Sequence, residues 1–100
     1  NQKGADAKII AHANLVLGIL YDTGKGGEQN YQKALKCFKI AAAQGYTDAH
    51  IYIGLLYAKG MGVKKDYHKA LYWWQLAADK RHPSAAAYVK EVKAKISSEG

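Results

Sequence analysis

The sequence predicts an all-α chain, an alpha-solenoid of two helix-loop-helix repeats of 36 residues followed by a C-terminal capping helix. Three observations predict it. The chain matches itself at one shift, apolar residues within each unit recur at helical spacing, and proline occurs once, at Pro83, in an Ala-rich sequence.

The self-match comes first because a repeat constrains every later reading. Gly18, Leu20, Tyr21, Gly24, Gly26, Tyr31, Lys33, Ala34 and Leu35 recur 36 residues on as Gly54, Leu56, Tyr57, Gly60, Gly62, Tyr67, Lys69, Ala70 and Leu71. Ala13, Ala41 and Ala42 recur as Ala49, Ala77 and Ala78, and Phe38 is replaced by Trp74. The expected division is an extension of the first helix over 1–12, repeats at 13–48 and 49–84, and a cap at 85–100, all one domain. A chain of 100 residues is too short for two independent cores.

In the second unit Ala49, Ile53, Leu56 and Tyr57 fall on one helical stripe. Gly60 then supplies a residue able to end the helix in the left-handed conformation. Asp66 is placed to cap the next helix, as Asn30 is in the first unit, because its side-chain oxygen accepts from orphan N–H groups of the first turn. Ala70, Trp74, Ala77 and Ala78 form the packing stripe of that helix. Gly18 and Gly54 sit mid-helix, where glycine costs about 1 kcal/mol relative to alanine. A ring from the partner helix lying against the bare backbone accounts for them. Three departures stand out: Gly27 replaces Val63 and Asn30 replaces Asp66, so the first loop should be less anchored, and Arg81 replaces Gly45, so the second unit is expected to end differently. After Pro83 the stripe Ala85, Val89, Val92 and Ile96 makes a last helix, but Lys90 and Lys93 take the places of Gly54 and Tyr57. A polar outer face of that kind stops further stacking. At the other end, Ile9 and Ile10 suggest contact with something upstream, such as a further repeat.

Composition narrows the chemistry. Cys37 is the single cysteine, so no internal disulfide forms, and it reads as a packing residue. No apolar run reaches the ~20 residues of a membrane span. No stretch reads as a signal peptide, and a start at Asn1 without Met fits an excised fragment or a processed product. The net charge of +7 permits an anionic partner, yet the lysines are spread along the chain without a dense block, so nucleic acid is not favoured. His12, His50, His68 and His82 show no metal-ligand spacing and read as exposed or hydrogen-bonded residues, with no metal and no cofactor expected. Gly24-Lys25-Gly26-Gly27 lacks the spacing of a phosphate loop, and its recurrence as Gly60 and Gly62 marks it as a turn. Trp74 is phased for the core; Trp73 is expected half exposed, covering the next helix. No catalytic constellation is evident, and the reading is a non-enzymatic protein.

The run Ile53-Gly54, Tyr57, Gly60-Met61-Gly62-Val63, Asp66, Lys69-Ala70, Trp73-Trp74, Ala77-Ala78 resembles the Sel-one-like repeat family, a relative of the tetratricopeptide repeat. The resemblance implies an adaptor or scaffold that binds a partner protein or peptide. It also implies bacterial members acting in the cell envelope or in host contact, and eukaryotic members assembling membrane complexes. In tetratricopeptide-type solenoids the first helix of each unit lines the concave face. Carried onto this chain, that face holds His12, Leu15, Val16, Ile19 and Asp22, then Asp48, Ile51, Tyr52, Leu55 and Lys59, with Tyr88 and Glu91 from the cap. Apolar rows at Leu15, Ile19, Ile51 and Leu55 suit an amphipathic helix or an extended apolar segment better than a terminal carboxylate. In a short solenoid the same rows either form a groove or pack on one another, and the residues alone leave both open. The alternatives are an accessory domain that docks on or inhibits an enzyme, and a basic surface that holds an anionic polymer.

Overall fold

The computed structural model describes residues 2–99, with side chains from Asp6; Asn1 and Gly100, the outermost residues of the expected domain, lie outside it. Five helices follow one another: α1 (Gln2–Thr23), α2 (Tyr31–Ala43), α3 (Asp48–Lys59), α4 (Tyr67–Asp79) and α5 (Ala85–Glu99). Each packs on the next in sequence, giving an elongated body of 47 × 32 × 16 Å. No strand occurs among the described residues.

The helix caps repeat in space as they do in sequence. Asn30 and Asp66 both stand in extended backbone before their helices, and their side chains accept from the N–H groups of Lys33 and Lys69 at 3.0 and 3.1 Å. Each capping residue also donates its own N–H back to the preceding helix, Asn30 to Tyr21 and Asp66 to Tyr57, both at 2.9 Å. That bond fixes the return angle of the chain. Gly60, at φ 68°, ends α3 in the left-handed conformation that its lack of a Cβ permits.

The mid-helix glycines are explained by their neighbours. The Phe38 ring lies against Gly18 and the Trp74 indole against Gly54, each too close to leave room for a Cβ. The core then runs through Ala34, Phe38, Ala41, Ile53, Leu56, Ala70, Ala77 and Val92, all at most 2% exposed. Burial of the larger of these stabilises by about 1.5–3 kcal/mol per side chain.

The two loops differ as their residues do. In the second unit Gly62 presses against the start of α2 at Tyr31, and Val63 is half-buried against the core. In the first, Gly27 is exposed with open space around it. The ends of the units, in contrast, are alike, which corrects the expectation drawn from Arg81. Arg81 adopts φ 63° where Gly45 has φ 91°. His82 donates to Ala77 as Tyr46 does to Ala41, at 3.0 and 3.1 Å. Those two bonds hold the joint in the same shape, so the arginine is carried into left-handed backbone despite its Cβ.

One further reading is corrected. His50 is neither exposed nor hydrogen-bonded: it is 5% exposed and neither ring nitrogen has a partner. It is held instead by stacking on Trp73 at 5.5 Å. Trp73 is half-buried, and this contact sets it against α3 of its own unit.

Candidate functional site

The first helices α1 and α3, with α5 in the equivalent place, carry every residue of the expected partner-binding face, and the structure sorts those residues into three groups. Leu15 and Ile51, equivalent positions, are 6% and 8% exposed and belong to the core. They support the face from below and do not line it.

His12 and Asp48, also equivalent, are joint residues. The His12 Nδ1 lies 3.2 Å from the Tyr46 hydroxyl, and the Asp48 carboxylate lies 2.6 Å from Nε2 of His82. Tyr46 and His82 are themselves 36 residues apart, so the same contact recurs at both joints with its chemistry exchanged.

The remaining residues form a strip along the face. Val16 is exposed, and its equivalents Tyr52 and Tyr88 are half-buried. The Tyr52 ring stacks on Phe38 at 4.9 Å, and Tyr88 stacks on Trp74 at 4.8 Å. Each tyrosine thus seals the joint between one unit's second helix and the following helix while keeping part of its ring accessible. Burial pushes the Tyr52 phenol above its usual range, and the Asp48 and Asp22 carboxylates and Tyr88 add to this. Asp22 is half-buried, and desolvation raises its carboxyl, partly offset by the Lys59 ammonium. Ile19 and Leu55 are half-buried rows between these groups.

At the α5 end the strip opens into a cleft of about 230 Å³ between α3, α4 and α5. Leu55, Lys59, Tyr88 and Glu91 line it, together with Tyr67, Trp74 and Lys95. Sequence reasoning missed Tyr67 and Lys95. Lys95 was legible, because it is Lys59 displaced by one repeat; Tyr67 opens α4 and carried no signal for this face. Three carboxylates (Asp22, Asp48 and Glu91) and two ammonium groups (Lys59 and Lys95) edge this surface in a protein of net charge +7. The arrangement suits an apolar or aromatic anchor with charged neighbours. Among the described residues no group of three or more His, Cys, Asp or Glu gathers where a metal would sit, and no helix is long and apolar enough to cross a membrane.

Comparison with known families agrees with this geometry. The family model described as Sel1 repeat matches residues 11–46 and 47–82, two units of 36 residues. The chain belongs to the Sel1 repeat family. Among solved structures, a Sel1 repeat protein from Oxalobacter formigenes is 33% identical with a TM-score of 0.79, over 85% of this chain and 35% of that one. A protective antigen present in uropathogenic Escherichia coli strains, which displays an SLR fold, is 36% identical with a TM-score of 0.72, over 75% of this chain and 16% of that one. The chain therefore spans about a third and a sixth of the lengths of these two proteins. No curated protein matches it. The Sel1 repeat is generally a non-enzymatic scaffold for protein–protein interaction.

Proposed function

We propose that this Sel1 repeat chain is an adaptor whose strip of Ile19, Asp22, Tyr52, Leu55, Lys59, Tyr88 and Glu91 holds a segment of a partner protein. The observation that carries the reading is the open cleft between α3, α4 and α5. Its apolar and aromatic lining is left unfilled by the chain's own side chains, while Lys59, Glu91 and Lys95 stand around it. A large apolar side chain entering such a cleft supplies the anchor, and the charges fix orientation. An amphipathic helix or an extended apolar segment has the required spacing of anchors.

Selection of peptides from a displayed library tests this, with each enriched peptide measured against wild type and a Leu55→Glu variant whose helicity is checked by circular dichroism. Peptides with an apolar anchor, bound by wild type and lost in the variant, support the cleft. Peptides that bind both proteins equally and weaken steeply with salt would move the function to the basic outer surface.

A further inference from the structure

The cleft between α3, α4 and α5 carries its charges at two levels. Leu55 and Glu91 are equivalent positions 36 residues apart, and so are Lys59 and Lys95, one helical turn or about 6 Å further along their helices. The apolar body of the cleft belongs to the first level, where Trp74 lies against Gly54 and bonds the Ile51 carbonyl. The second level holds the ammonium groups, at the end of α3 where Lys65 packs beside Gly60 and the chain turns into Tyr67.

The first unit fills the matching place with neutral groups. There the Gln29 amide donates to the Asp22 carbonyl at 2.7 Å and to the Tyr31 hydroxyl at 2.8 Å, and Thr23 stands at the position of Lys59. In the second unit Lys65 replaces Gln29 and Tyr67 replaces Tyr31. The Lys65 Nζ lies 4.8 Å from the centre of the Tyr67 ring, and the Lys95 Nζ lies 6.0 Å from it. A neutral bridge has given way to ammonium groups around one ring. Among the described residues the one ion pair joins Asp48 to His82, so Lys59, Lys65 and Lys95 have no carboxylate in contact. Glu99 borders Lys65 and Asp22 feels Lys59, both short of an ion pair, and Asp66 is engaged in the α4 cap.

We infer, on the basis of the adaptor reading, that the partner segment carries an Asp or Glu about one helical turn from its apolar anchor. The anchor enters beside Leu55 and Trp74, and the side-chain carboxylate lies among Lys59, Lys65 and Lys95. The cleft is small, about 230 Å³, so the carboxylate stays outside it, where lysines act as point charges on flexible stems. Glu91, at the first level, repels a carboxylate placed the other way round. The charges therefore also set the direction in which the segment runs.

The test is selection from a displayed library in which a fixed Trp or Leu is flanked on both sides by randomised residues, with no free peptide terminus. The targets are wild type, Leu55→Glu, the double variant Lys59→Glu, Lys95→Glu and, as a control away from the cleft, Lys39→Glu. The three lysines are exposed, and circular dichroism verifies that each variant keeps its helices. Wild type and Lys39→Glu are expected to enrich Asp or Glu on one side of the anchor, and the double variant to enrich Lys or Arg there instead. Changing the acid of an enriched peptide to its amide should weaken binding to wild type about fivefold, the order of one exposed ion pair. Peptides lost in Leu55→Glu but indifferent to the acid, or keeping it in the double variant, overturn the inference and leave the adaptor reading standing. Acidic peptides that bind Leu55→Glu as well as wild type, or no enrichment at all, overturn both.

Discussion

The indole of Trp74 lies flat against the bare backbone of Gly54 and donates its N–H to the carbonyl of Ile51 at 3.1 Å. A residue of the second helix thereby satisfies its one polar atom on the first helix of its own unit, while its other side stacks on Tyr88 of α5. Phe38 does the same against Gly18 and Tyr52, without the hydrogen bond.

Gly54→Ala should therefore destabilise, although the same change on an open helix gains about 1 kcal/mol. The new methyl meets the Trp74 ring, which must shift and weaken its bond to Ile51 and its stack on Tyr88. A net loss of about 1–3 kcal/mol is expected from overpacking of this kind. Urea denaturation measures it, with loss of the near-ultraviolet tryptophan signal as a local readout. A variant as stable as wild type would show that the close approach is not required.

The caps offer a matched pair. Asp66→Ala and Asn30→Ala each remove one side-chain acceptor from an N3 amide, and each should cost about 1 kcal/mol. Equal losses by thermal denaturation are expected, because the geometry is the same in both units; a clear difference would mean that the more weakly anchored first loop takes up part of the change.

At Arg81 the expected sign is reversed. A non-glycine residue held at φ 63° carries strain that glycine does not. Arg81→Gly should raise stability by up to about 1 kcal/mol, reduced by glycine's greater freedom in the unfolded chain. A higher melting temperature checks it, and Gly45→Arg should move in the opposite direction.

Most of the fold was legible because the 36-residue match fixes helix number, loop glycines and caps at once. The errors came where a residue type was read alone. Arg81 differs from Gly45 in its side chain, but the bond from the His82 N–H to the Ala77 carbonyl holds its backbone in the same left-handed turn. For Leu15 and Ile51 helical phase leaves groove and self-packing equally open, and the structure puts both in the core. His50 has Asn14 as its equivalent, and that polar partner in the first unit gave no hint that stacking on Trp73 would close over the imidazole. Of the candidate site, Tyr52, Tyr88 and Lys59 were readable from phase; the cleft and Tyr67 were not, because they depend on how α5 stands against α3 and α4.

His50 supplies a pH-dependent test. Burial, with the Lys80 ammonium adding to it, lowers the imidazole below its ordinary value of 6.5. Above that value the ring is neutral in both folded and unfolded chains and costs nothing in protonation. As the pH falls below 6.5, the unfolded chain takes up the proton first, so folding stability declines until the folded chain also binds it. His50→Leu removes this decline and the two unpartnered ring nitrogens together. The variant should be more stable than wild type by about 1–2 kcal/mol at neutral pH. The gap should widen between pH 7 and mildly acid pH, where His50 titrates in the unfolded chain. Urea midpoints for both proteins across that range check the claim, since the difference between them cancels the other histidines. A constant gap would mean that His50 binds its proton as readily in the folded chain as in the unfolded one.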